Sequence, residues 1–153
     1  MEYLVFSLLF VVIHTVAYYV AGAINYSFTK DLYGGEGALY TDFLRDMSDP
    51  KESAGVNKRL IPAQLVRALL MSVVLYPILP ALGDLSFGLR FGFLAGLTFI
   101  YLDLCSACPF SNTIEGLVYM KKRFVEKSVF LKITSEAVVY SLLFGGFGAW
   151  LLF

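Results

Sequence analysis

Charge is scarce in this 153-residue chain: 12 Lys and Arg face 12 Asp and Glu, together 16 % of the sequence, where a soluble domain carries about 25 %. With no net charge and no basic arm, the chain lacks the clustered cations that phosphate binding needs, which excludes nucleic acid as a partner. Histidine and cysteine are nearly absent as well. One His and two Cys cannot furnish a closed four-ligand zinc site, and a single His cannot hold a haem iron from both sides. No segment matches the phosphate-binding GxxxxGKS/T, the metalloprotease HExxH or the nucleophile elbow GxSxG. The residue types thus favour a protein that is not an enzyme, and they name no cofactor. No Gly follows Met1 and no Cys stands four from the last residue, so no lipid anchor is signalled.

What is present is apolar. Hydrophobic residues reach 58 % and aromatics 16 %, and mean hydropathy is +0.72, so lipid is the expected solvent. Four runs, Tyr3 to Tyr26, Ile61 to Leu82, Phe87 to Cys108 and Ser128 to Phe153, are each long enough to cross a hydrocarbon layer of about 30 Å. The expected fold is an all-α integral membrane protein, a single four-transmembrane-helix bundle over residues 1–153 with short interfacial helices in its two long connections. Ala21-Gly22-Ala23 has the small-residue chemistry of a leader cleavage site, but Met1-Glu2-Tyr3 offers no basic n-region. The first helix is therefore expected to be retained.

Orientation follows from Lys and Arg, which flank cytoplasmic ends. Lys30, Arg45, Lys51, Lys58 and Arg59 lie between the first two runs, and Lys121, Lys122, Arg123 and Lys127 between the last two. The start, the Gly83-Asp84-Leu85-Ser86 turn and the end have none, with Arg90 the nearest exception. Both termini are expected outside and both long connections in the cytoplasm. In the first connection Leu39, Phe43 and Met47 share one helical face, Pro50 is expected to end that helix, and the stretch to Asn57 to be a mobile loop. In the second, Asn112 and Glu115 resemble a capping pair opening a surface helix that carries Ile114, Leu117, Val118, Phe124 and Val125. Its Lys121-Lys122-Arg123 cluster reads as a positive-inside anchor more readily than as a lipid-binding site.

Gly88, Gly92 and Gly96 recur every fourth residue in helix 3, as do Ser141, Gly145 and Ala149 in helix 4. Such stripes let helices approach closely, within one chain or between subunits of a homo-oligomer or larger membrane complex. Pro77 and Pro80 are expected to loosen the far end of helix 2. Arg67-Ala68 with Ser72 parallels Glu136-Ala137 with Ser141, a faint trace of duplication.

Ionisable groups within apolar runs are costly and mark functional positions by default. Arg67, Asp103, Lys132 and Glu136 fall in one layer, about 6 to 12 Å from the inner helix ends at about 1.5 Å per residue. If they face inward they outline a polar pocket, or else a charge clasp fixing helix register. His14, Tyr18, Ala21 and Asn25 form a polar face on helix 1 that would line the same interior. His14 reads either as a proton relay or, preferably, as a neutral hydrogen-bonded imidazole. Lys132 reads as snorkelling to the inner interface or as neutralising Glu136 one turn on. Asp103, seven residues past Gly96, is expected on the glycine stripe. Cys105 and Cys108 form a CxxC pair that reads as two small buried residues at a reduced, cytoplasmic helix end, or as a redox pair if the topology is inverted. No family resemblance emerges. The leading expectation is a cavity binding or transporting a small polar or ionic solute through Arg67, Asp103 and Glu136, with His14, Asn25 and Tyr18 as its upper wall. The alternatives are a non-catalytic accessory subunit or assembly factor and, less favoured, a membrane thiol oxidoreductase.

Overall fold

The computed structural model describes residues 2–153. Helix α1, Glu2–Tyr33, runs seven residues past the apolar stretch, because nothing before Gly34 breaks it. There the chain must turn sharply: a Cβ on Gly34 would stand 2.7 Å from the Ser48 amide, and Gly35 and Gly37 adopt φ of 104° and 77°, conformations open to glycine. The expected surface helix with Leu39, Phe43 and Met47 on one face does not form. A single 3₁₀ turn, Leu39–Asp42, instead buries Tyr40 completely while Phe43 stays exposed.

The mobile loop expected up to Asn57 is helical. Helix α2, Pro50–Leu75, starts at Pro50, with the Asp49 side chain accepting from the Lys51 amide at 2.7 Å. Proline's fixed φ suits the first helical position, whose amide has no helical partner, and the extended residue before it is the N-cap. A proline expected to stop one helix thus begins another. At the other end Pro77 and Pro80 act as expected: α2 gives way to a 3₁₀ turn, Tyr76–Ile78, and then to α3, Leu79–Gly83.

Helix α4, Phe87–Gly96, continues as a π-helical stretch, Leu97–Leu104, which ends with the Cys105 amide bonded to the Ile100 carbonyl at 2.8 Å. In the second long connection the short α5, Ile114–Tyr119, is capped by Thr113, whose hydroxyl accepts from the Gly116 amide at 2.9 Å. Asn112 and Glu115 are not its capping pair. The helix also stops before Phe124, which is buried from a separate 3₁₀ turn, Lys122–Phe124. Helix α6 is Lys127–Leu151.

Four helical stretches, Glu2–Tyr33, Pro50–Gly83, Phe87–Leu104 and Lys127–Leu151, are long and apolar enough to cross a membrane. They alternate in direction, so both chain ends lie at one end of the bundle and both long connections at the other. Helices α1 and α6 form its centre, with α2 packed on α1 and α4 on α6. The third stretch is only 11 % buried, against 39 % for α1 and α6. Phe6, Phe10, Leu75, Leu94 and Phe144 meet at the end that carries the termini. There Ser7 also shares hydrogen bonds with Ser72 at 2.8 Å and Tyr76 at 2.6 Å. At the opposite end Leu32, Tyr40, Phe124, Val129 and Ile133 form a second core, sealed by the Tyr40 hydroxyl donating to Ser111 at 2.6 Å.

The expected glycine stripe is not the packing surface. Gly88, Gly92 and Gly96 have no atom within 4 Å of where a side chain would begin. Helix α6 does approach α4 through Gly145, but against Ala95: a Cβ there would lie 2.8 Å from the Ala95 Cβ, and one on Gly148 would lie 3.0 Å from Leu94. Helix α6 supplies the glycines, and Ala95 and Leu94 of α4 fill the groove that Gly145 and Gly148 open. Ser141 is buried beside them with its hydroxyl unpaired.

Candidate functional site

Between the two cores the helices part. The cavity left there, about 290 Å³, takes wall residues from all four long helices and from the second connection. Arg67 projects from α2, whose Cα–Cβ bonds tilt toward its N-terminus, which brings the guanidinium toward the connection end. Asp103 comes from the π-helical stretch. Glu136 and Tyr140 stand one turn apart on α6, while Tyr18, Ala21 and Tyr33 line the wall from α1.

The π-helical stretch decides where Asp103 lies. In an α-helix seven residues make about two turns, which would keep Asp103 over Gly96. Hydrogen bonds of the i→i+5 type widen each turn, so Asp103 leaves the glycine face and lines the cavity, where Asn112 donates to its carboxylate. Glu136 lies against α1 where Gly22 has no side chain, a Cβ there being 3.8 Å from Oε1. Among the described residues Arg67 and Glu136 have no hydrogen-bond partner, and Arg67 comes within ion-pair distance of neither carboxylate. Among the described residues the ion pairs are Arg123 with Asp42 and Lys132 with Asp31, the latter at 2.6 Å. Of the two readings of Lys132, the pair with Glu136 does not form. Lys132 reaches across to the end of α1 instead and is not part of the cavity, because a carboxylate in the polar edge layer spares the ammonium a place in the interior.

Of the helix 1 face, Tyr18 and Ala21 line the cavity while His14 and Asn25 lie outside it. The His14 ring is fully buried, with Nε2 3.2 Å from the Gln64 amide oxygen and Nδ1 2.7 Å from the Tyr140 hydroxyl. An amide oxygen only accepts, so Nε2 is the donor to Gln64, while Nδ1 and the Tyr140 hydroxyl share the second hydrogen bond. The ring is hydrogen-bonded on both sides and orients a cavity tyrosine. Asn25 donates to the Ala21 carbonyl at 3.0 Å and accepts from Ser135 at 2.7 Å.

Cys105 and Cys108 are free and exposed, not buried as their small size suggested. The helix ends at Leu104, and Pro109 follows in a turn that lifts both thiols out of the packing; Cys108 lines the cavity. Among the described residues no group of three His, Cys, Asp or Glu side chains could hold a metal ion.

Sequence reasoning did not pick out Tyr33, Tyr140, Asn112 or Gln64. Tyr140 had a signal, its spacing of four from Glu136, and Gln64 had another, its spacing of three from Arg67. Asn112 and Tyr33 had none, since their place depends on how the connections fold back. The paired tracts agree in burial: Ala68 and Ala137, and Ser72 and Ser141, are buried, while Arg67 and Glu136 face the cavity. Comparisons with protein-family models, with curated proteins and with solved structures find no match for this chain.

Proposed function

We propose that the chain is a multi-pass membrane protein whose intramembrane cavity binds, and in the fuller form of the reading transports, a small polar or ionic solute. Arg67 is its anion-recognition group, Asp103 the balancing carboxylate and Glu136 a cation or proton acceptor. One observation carries the reading: three ionisable side chains from three different helices line a single cavity, and Arg67 and Glu136 reach it without a partner. Arg67 is exposed and Glu136 half-buried, and ionisable groups left free within apolar helices mark functional positions by default. The end of the cavity nearest the second connection is lined by Ser106, Cys108 and Asn112. With five and four basic residues between the first two and the last two apolar runs, that end of the cavity faces the cytoplasm by the positive-inside rule.

Equilibrium binding to the purified protein, and flux into reconstituted vesicles, test the reading across a panel of small anions, cations and zwitterions. Arg67→Ala and Glu136→Gln should each weaken binding about tenfold or more, the loss of one charge-assisted contact. A panel solute that both variants bind as the wild type does would remove the cavity from the function.

A second reading, a non-catalytic subunit of a membrane complex, is favoured by the open Gly88, Gly92 and Gly96 face on the least buried stretch. A stoichiometric partner retained in mild detergent and lost on Gly92→Leu would support it. A protein that purifies alone and binds solute would oppose it.

A further inference from the structure

Resting on that cavity reading, we infer that the ligand is a small zwitterion, its anionic group held by Arg67 and its ammonium held by Glu136 among tyrosine rings. The two unpartnered groups carry opposite charge, project from different helices and do not meet. A single ion would compensate one and leave the other bare. A molecule with both charges a few bonds apart compensates both, through one charge-assisted contact at each end. Asp103 does not make the same demand, because the Asn112 amide already donates to it.

The neutral part of the wall suits a cation. Tyr18, Tyr33, Phe110 and Tyr140 all contribute to it, and the Tyr18 and Tyr140 rings lie 6.4 Å apart at 74°, two walls of a corner. Aromatic faces attract ammonium groups, quaternary ones included. The Tyr140 hydroxyl is engaged by His14, so the ring is fixed as a wall. Size sets the last limit. A volume of about 290 Å³ equals about ten waters at about 30 Å³ each, which suits a solute of about that many heavy atoms or a lipid headgroup of the same chemistry.

Calorimetric titration of the full chain in nanodiscs separates the alternatives with three ligands: glycine betaine, choline and acetate. Choline carries the same cation without the carboxylate, and acetate the carboxylate without the cation. Betaine should bind about tenfold or more tighter than either. Arg67→Ala should bring betaine down to choline, Arg67→Lys should restore part of the preference, and Glu136→Gln should weaken betaine and choline while leaving acetate unchanged. An unaltered thermal midpoint in each variant shows that the fold persists. In phosphatidylcholine nanodiscs betaine affinity falls if a headgroup is the occupant. It equals that in phosphatidylglycerol nanodiscs if a free solute is. Choline or acetate binding the wild type as tightly as betaine, yet sensitive to Arg67→Ala or Glu136→Gln, overturns the zwitterion and leaves the cavity standing. Betaine binding that neither substitution alters overturns both. No binding by any of the three overturns the zwitterion alone, because the wider panel then decides the cavity.

Discussion

Tyr40 is a single residue on which the connection end of the bundle depends. It is wholly buried, stacks edge-on with Tyr33 at 5.1 Å, and donates to Ser111, so it ties the first long connection to the second. Tyr40→Phe keeps the ring but leaves the buried Ser111 hydroxyl without its partner, and should cost about 1 to 2 kcal/mol, read as a lower thermal or denaturant midpoint. Burial also pushes the Tyr40 hydroxyl from 10.0 up to about 12, against the lowering effect of Ser111. The folded state holds the neutral form, so this contribution is complete below pH 10 and is lost as pH rises toward 12. Near-ultraviolet dichroism should show the connection loosening across that window in the wild type and not in Tyr40→Phe. A wild-type signal that stays flat to pH 12 would contradict this. By contrast, the Arg123 to Asp42 pair between the same connections is half exposed on both sides and contributes little. Nothing in the sequence distinguished Tyr40 from the nine other tyrosines. Periodicity pointed to Leu39 and Phe43 instead, because a helical pattern was assumed where only one 3₁₀ turn forms.

At the scale of elements, the third apolar stretch shows how geometry redirects a sound pattern. The glycine spacing was legible and suggested an interface, but the face that packs on α6 carries Leu94 and Ala95. The difference can be measured with two substitutions. Gly145→Ala forces a Cβ within 2.8 Å of Ala95 and should destabilise by about 1 to 3 kcal/mol, whereas Gly92→Leu enters open space and should leave the unfolding midpoint of the isolated protein unchanged. A reversed order would mean that the two helices pack through the glycine face after all. Asp103 belongs to the same account. Its distance from Gly96 in residues could be counted, but the i→i+5 bonding that turns it into the cavity could not, since no proline or insertion announces the π-helical stretch. The start of α2 was misplaced for a related reason: Pro50 disfavours helix before itself and favours it after, and only the Asp49 cap reveals which side the helix is on.

For the whole molecule, orientation is open to direct measurement through its own cysteines. Cys105 and Cys108 are exposed at the end that carries the long connections, the end that the positive-inside rule would put in the cytoplasm. In sealed right-side-out vesicles a membrane-impermeant maleimide should label neither thiol until the membrane is permeabilised. Labelling of intact vesicles would invert the topology and with it the side on which the cavity opens. Such a result would also return the CxxC pair to an oxidising compartment, where a thiol function becomes chemically reasonable.

Hydropathy by itself determined four helices long and apolar enough to cross a membrane, because a span of given thickness needs a minimum apolar length whatever it packs against. It also singled out Arg67, Asp103 and Glu136, since charge within an apolar run stands out at any register. The tertiary structure decided which polar groups meet. It brought those three to one cavity and set His14 and Asn25 into hydrogen bonds outside it. It also sent Lys132 to Asp31 and added Tyr33, Tyr140 and Asn112 to the site. Those outcomes depend on helix rotation and on how connections fold back, quantities set by packing between segments distant in the chain, and no single segment encodes them.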